Sequence, residues 1–157
     1  MASGLYGPQM IRRPILFRQE RVGRGGEVFT LLKFRTMEDK AVVRPFLRHT
    51  GLDELPQIVN IVRGDMRVFG PRPEVPQLDS YYAGIIPEWS ARQAWKPGLI
   101  SLASVEGAIR GADRYSLPAK QEQARLDAHM MENMGLMMRL RILAKLPRAI
   151  LRGQKGA

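Results

Sequence analysis

Residues 51–64 read Gly51-Leu52-Asp53-Glu54-Leu55-Pro56-Gln57-Ile58-Val59-Asn60-Ile61-Val62-Arg63-Gly64. Leu55, Ile58, Val59 and Val62 recur at i, i+3, i+4 and i+7, the spacing of one apolar face of a helix. The pattern predicts a helix from Asp53 or Glu54 to Val62, ended by Gly64, with Pro56 close to the first turn where a missing N–H costs little. Toward the N-terminus, Ile15-Leu16-Phe17-Arg18-Gln19 and Val28-Phe29-Thr30-Leu31-Leu32-Lys33-Phe34 are β-prone runs separated by a polar segment containing Gly25-Gly26, a hairpin signal. Residues 40–49 fit a short helix interrupted at Pro45. Toward the C-terminus, Pro71, Pro73 and Pro76 make 69–76 a stiff extended loop. A helical segment over 78–95 follows, broken near Pro87, then a turn at Lys96-Pro97-Gly98 and a helix over 116–134 with Leu126, Met130, Met131 and Met134 on one side. The fold class expected is α+β: a compact, mostly helical domain with a small β-hairpin and amphipathic interfacial helices.

The 157 residues make a single domain, 1–157, and their 45% hydrophobic and 25% charged content is that of a globular chain. Twenty-five Lys and Arg against fifteen Asp and Glu leave a net charge of +10, which favours a polyanionic partner: nucleic acid, an anionic membrane surface or a phosphorylated substrate. Without cysteine, thiolate nucleophiles, disulfides and Cys-ligated metals are excluded. No window reaches the eighteen or so apolar residues of a membrane span, and the N-terminal segment 1–13 lacks a signal-peptide apolar region, so as written the chain is expected neither to cross a membrane nor to be secreted.

Residues 134–157 hold six basic residues and no acidic one. On a helical wheel Arg141, Lys145, Arg148, Arg152 and Lys155 form one stripe, and Leu136, Leu140, Ile142, Leu143, Leu146, Ala149 and Ile150 lie opposite. This fits a basic amphipathic helix on an anionic membrane surface and equally a core-packed helix with a solvated basic face. Pro147 is expected to kink or divide it near Leu143.

Ionisable residues crowd beside glycine and proline between Lys33 and Pro73: Lys33-Phe34-Arg35-Thr36-Met37, Gly51-Leu52-Asp53-Glu54-Leu55-Pro56-Gln57, Gly64-Asp65-Met66 and Gly70-Pro71-Arg72-Pro73. Adjacent carboxylates offer hard oxygen ligands for Mg²⁺, and Lys33, Arg35 and Arg72 offer donors to phosphate. At a helix N-terminus Asp53 is expected to keep a depressed pKa, as a carboxylate nucleophile or metal ligand needs. The plainer reading makes Asp53 an N-cap and Glu54 a first-turn glutamate. Lys33 and Arg35 read equally as solvated strand-end charges, and Asp65 as a second site carboxylate or a turn residue after Gly64.

These four motifs in this order, preceded by Phe17-Arg18-Gln19-Glu20-Arg21-Val22-Gly23, resemble the bacterial sugar transferase family, the small monotopic polyprenyl-phosphate phosphoglycosyl transferases. The resemblance is densest over 14–101 and continues loosely through Arg125-Leu126-Asp127 and Ile142-Leu143. It implies transfer of a sugar phosphate from a nucleotide diphosphate sugar, usually a UDP-sugar, to polyprenyl (undecaprenyl) phosphate, the initiating step of exopolysaccharide, O-antigen or glycoconjugate synthesis. The implied roles are Asp53 as nucleophile in a covalent phosphosugar-enzyme intermediate, Glu54 as its partner in placing Mg²⁺ or a proton, and Arg72 as a phosphate ligand. The implied place is the cytoplasmic face of the bacterial inner membrane.

The sequence departs from the family in three places. The hydrophobic re-entrant helix that usually precedes the first motif is not present in 1–13, so the chain is expected to be truncated or to rely on interfacial helices. Pro97-Gly98-Leu99-Ile100-Ser101 stands where the family has Pro-Gly-Ile-Thr-Gly, and Arg139 replaces a customary aspartate. Two other readings compete. A basic nucleic-acid-binding module explains the charge but not the carboxylate pair, and after Trp95 only Tyr115 could stack on a base, so nucleic acid is not the expected partner. A non-catalytic membrane-surface partner is the other.

Overall fold

A computed structural model describes residues 15–36, 46–47, 50–108 and 112–151. The short helix expected over 40–49 falls largely outside this set, as do Met37, Arg152, Lys155 and the segment 1–13. Strands β1 (Leu16–Val22) and β2 (Val28–Phe34) form the expected antiparallel hairpin, in register from Leu16 opposite Phe34 to Val22 opposite Val28. The first strand runs three residues past the apolar run because Glu20, Arg21 and Val22 still find partners on β2. The connection is a 3₁₀ turn, Arg24–Gly26, in which Gly25 and Gly26 take φ of 70° and 81°, values that glycine adopts without a Cβ penalty.

The predicted helix over 53–62 is two elements. Leu52–Glu54 is a 3₁₀ turn entered through Gly51 at φ 77°, and α1 begins only at Gln57 and ends at Arg63, with Gly64 in the left-handed region. Its burial reverses the apolar pattern. Gln57 and Asn60 are buried, whereas Leu55, Ile58, Val59 and Val62 are exposed, Val62 to 82%. The reason lies in Asn60, whose Oδ1 accepts from the Leu32 amide (3.1 Å) and whose Nδ2 donates to the Thr30 carbonyl (2.7 Å) and to Asp65 (3.0 Å). The side-chain amide thus satisfies the otherwise open edge of β2 as a third strand would. α1 is docked by hydrogen bonds, and its apolar face is left outward.

Strand β3 (Arg67–Phe69) pairs in parallel with β4 (Gly98–Ile100). Gly70 and Gly98 meet backbone to backbone: a Cβ on Gly98 would fall 2.0 Å from the Gly70 nitrogen. Between these strands run the proline loop, α2 (Pro76–Ile85) and a 3₁₀ segment Trp89–Ala94, close to the expected helix broken at Pro87. Ser101, where the family pattern has glycine, caps α3 (Leu102–Glu106) by accepting from the Ser104 amide at 3.0 Å. Two longer helices follow among the described residues, α4 (Leu117–Glu132) and α5 (Leu136–Leu151).

The larger apolar core joins Leu102, Ala103 and Val105 of α3 to Leu126 and Met130 of α4 and to Met138, Ile142 and Ala149 of α5. A smaller one gathers Tyr82, Ile86, Trp89 and Ala124. α5 runs undivided through Pro147, contrary to the expected break near Leu143, because the buried residues Ile142 and Ala149 anchor it on both sides of the proline. The apolar side read from the wheel also divides: Ile142 and Ala149 face the core with Leu146 packed against it, and Leu136, Leu140, Leu143 and Ile150 are exposed. The architecture is α+β and mostly helical, as expected.

Candidate active site

Three elements converge on one point: the end of β2 bearing Lys33, the 3₁₀ turn bearing Asp53 and Glu54, and the proline loop bearing Arg72. Glu54 is their hub. Its Oε1 accepts from Arg72 Nη2 at 2.6 Å and from Lys33 Nζ at 3.5 Å, and its Oε2 accepts from Arg72 Nη1 at 3.4 Å. Burial by itself would raise the Glu54 pKa, but the facing Arg72 and Lys33 outweigh it and hold the carboxyl at about 2. Glu54 in turn raises the affinity of Arg72 for its proton, while burial, helped by Arg72, lowers that of Lys33.

Asp53 is different. It is buried, and its Oδ1 has no hydrogen-bond partner. Burial, then the charge of Glu54, raises its pKa against the pull of Lys33 and Arg72. This corrects the depressed pKa expected from a helix dipole: the α-helix starts four residues later, and the turn that holds Asp53 is too short to sum its dipoles. The N-cap reading also fails, since no side chain caps either the turn or α1. The site therefore pairs one carboxylate locked by two cations with one whose buried oxygen is uncommitted, an arrangement able to present a nucleophile or ligand beside positive charge. Among the described residues no group of three or more acidic or histidine side chains could hold a metal. The free Asp53 oxygen beside an ionised Glu54 still suits Mg²⁺, which takes one or two carboxylates and completes its shell with substrate phosphates and water.

Of the other predicted residues, Arg35 lies over the Phe17 ring, 5.6 Å from its centroid. Asp65 is the turn residue, accepting from Asn60 after the left-handed Gly64. On α5, Arg141 (3.5 Å) and Lys145 both pair with Glu106 of α3, so two of the stripe's three described residues face the protein's own carboxylate. Arg148 is exposed.

Sequence reasoning missed the layer behind the site. Glu74 accepts from Arg21 (3.2 Å) and from the buried Lys120 (2.7 Å), and Arg92 donates to the buried Asp127 (2.8 Å). A signal existed in α4, where Lys120, Gln123 and Asp127 recur at helical spacing on the face that also carries Ala124, too polar for an ordinary core stripe.

Residues 9–153 match the family model described as bacterial sugar transferase. The chain is 41% identical over 130 residues to a Caulobacter vibrioides UDP-glucose:undecaprenyl-phosphate glucose-1-phosphate transferase, covering 73% of this chain and 49% of the relative. It is 34% identical to a Xanthomonas campestris protein of the same name, over 92% of this chain and 33% of the relative. An exopolysaccharide production protein of Rhizobium leguminosarum is 32% identical, over 83% and 74% respectively. The chain thus spans about half the length of the first of these and a third of the second. With the Asp53-Glu54 pair, Lys33 and Arg72 brought together inside the matched region, the chain belongs to the bacterial sugar transferase family.

Proposed function

We propose that this chain transfers a sugar phosphate from a nucleotide diphosphate sugar to undecaprenyl phosphate through a covalent aspartyl intermediate. Asp53 Oδ1 attacks the β-phosphorus, the bond from that phosphorus to the bridging oxygen breaks, and the nucleoside monophosphate leaves with the electron pair. An oxygen of the lipid phosphate then attacks the same phosphorus, and the bond to Asp53 breaks to restore the carboxylate. Because anion attacks anion, cationic donors decide the rate. Arg72 and Lys33 supply them, shared in the resting site with Glu54, and Arg35 lies two residues beyond Lys33 on the same strand end. Asp53 and Glu54 are the residues that would hold Mg²⁺, which would add neutralisation of the diphosphate charge. The observation that carries this reading is the buried, unpartnered Asp53 oxygen beside two cations already assembled on its neighbour.

UDP-glucose as donor is the choice that the names of the relatives support, with the product entering exopolysaccharide synthesis. A lipid acceptor places the work at a membrane, on the face where nucleotide sugars are made, the cytoplasmic face of the inner membrane. Two features support an anionic bilayer as partner: the exposed apolar face of α1 immediately after Asp53, and the exposed stripe Leu136, Leu140, Leu143 and Ile150 of α5, bordered by Arg139, Arg141 and Arg148. Among the described residues no helix is long and apolar enough to cross a membrane.

The test is incubation with UDP-glucose labelled in the β-phosphate, with Mg²⁺ and no lipid. Label should appear on Asp53, leave on addition of undecaprenyl phosphate, and be absent in Asp53→Asn. Undiminished labelling of that variant would remove Asp53 as the nucleophile.

A further inference from the structure

The loop that presents Arg72 is held from behind at each carbonyl from Pro71 to Glu74. The Pro71 oxygen accepts from the Gly98 amide (2.9 Å), the Arg72 oxygen from Arg92 Nη2, the Pro73 oxygen from Arg21 Nη1 (3.0 Å) and the Glu74 oxygen from the Val22 amide (2.9 Å). Pro71 and Pro73 fix their own φ and offer no competing N–H. Only one of these four donors touches residue 72 itself, and it is a side chain. Arg92 is buried (6% exposed), lies over the Trp89 ring with its guanidinium carbon 4.1 Å from the centroid, and donates from Nε to Asp127, which is fully buried on α4. One guanidinium therefore ties the backbone of Arg72 to a helix 55 residues further along the chain.

We infer that Arg92, oriented by Asp127, is the positioning residue for Arg72: it sets the backbone from which the Arg72 side chain reaches Glu54 and, on the reading of the site proposed above, the substrate phosphate. The chemistry requires arginine. Nε and Nη2 of one planar fork point to two acceptors at once, whereas a lysine ammonium is a single centre on a flexible stem and cannot span both. Loss of the bond need not unfold the chain, because a small cleft of mixed lining, with Glu74, Asp79 and Gln93 beside Pro71, Pro73 and Trp95, adjoins it and water can satisfy the freed carbonyl. What is lost is the fixed seat of Arg72, and a displacement of about 1 Å costs on the order of 100-fold in a positioned reaction.

Two measurements decide this. In steady-state transfer, Arg92→Lys lowers kcat by roughly 10- to 100-fold while KM for the nucleotide sugar moves less than about threefold, since the misplaced group matters most in the transition state. Asp127→Asn, which keeps an acceptor for Nε, retains most of the activity, and Asp127→Leu, which does not, falls with Arg92→Lys. Glu122→Gln, at an exposed pair on the same helix, is unchanged. Wild-type kcat in folded Arg92→Lys overturns the inference. The second measurement is an unfolding cycle independent of activity. If Arg92 seats Arg72 on Glu54, the change in unfolding constant caused by Glu54→Gln shrinks at least about fivefold in the Arg92→Lys background, because coupled sites are not additive. Strict additivity overturns the inference even if the chain proves to catalyse another reaction. Absence of any aspartyl intermediate in the wild type, with the cycle non-additive, would instead overturn the proposed reaction and leave the role of Arg92 standing.

Discussion

Replacing Glu54 by glutamine keeps the size of the side chain and one acceptor for Arg72 but removes the charge that both Arg72 and Lys33 face. The Glu54 carboxyl sits at about 2 instead of its ordinary 4.5. A tenfold change in proton affinity is worth about 1.4 kcal/mol, so the folded state gains roughly 3 kcal/mol from ionised Glu54 at neutral pH. The side chains involved are 12% (Glu54), 20% (Lys33) and 27% (Arg72) exposed, so solvent screens only part of this. Deletion of one partner from a buried pair gives a similar figure, about 3–5 kcal/mol, and relief of Asp53 from a neighbouring like charge offsets a little. The expected loss is about 2–3 kcal/mol, or roughly 4–12 °C in Tm for a chain of this size. Because the folded pKa is the lower one, the contribution is complete above pH 4.5 and is lost as pH falls toward 2. Urea midpoints of wild type and Glu54→Gln should differ at pH 7 and converge as the pH drops below 4.5. Equal midpoints at pH 7, or a gap that persists undiminished at pH 2, would refute the hub.

Asn60→Ala strips the edge of β2 of two hydrogen bonds and should destabilise by about 3 kcal/mol, read by thermal unfolding; a loss below about 1 kcal/mol would mean that water serves that edge equally well. Gly98→Ala drives a methyl into the backbone of Gly70, so the parallel pair should open and the Gly98 amide, bonded to Pro71, should lose hydrogen-exchange protection. In flotation with anionic vesicles, Arg139→Gln with Arg148→Gln should weaken binding by roughly 30-fold, at about 1 kcal/mol per charge near the surface, and added salt should erase the difference. Unchanged flotation would remove α5 as a membrane contact.

Much of the fold was legible because its signals are local. Gly25-Gly26 between β-prone runs gave the hairpin, the three prolines gave the loop, and the carboxylate pair with Arg72 and Lys33 marked the site by motif order. Helix α1 was misread for a physical reason: periodicity reports that a face is apolar, not what it meets, and here a buried asparagine at the edge of β2 turned that face outward. The pKa of Asp53 was misread likewise, since helix position was visible and burial was not.

The residues alone marked the candidate groups: a carboxylate pair, an arginine between prolines and a lysine at a strand end, with no thiol in the chain. Those choices are written in side-chain identity and short spacing. Only the tertiary structure decided how they pair, because Glu54 meets Arg72 and Lys33 across separations of 18 and 21 residues and leaves the Asp53 oxygen without a hydrogen-bond partner. It alone also showed that Arg92 and Asp127, 35 residues apart, meet behind the loop. Burial and long-range pairing set those energies, and neither is a property of a local window.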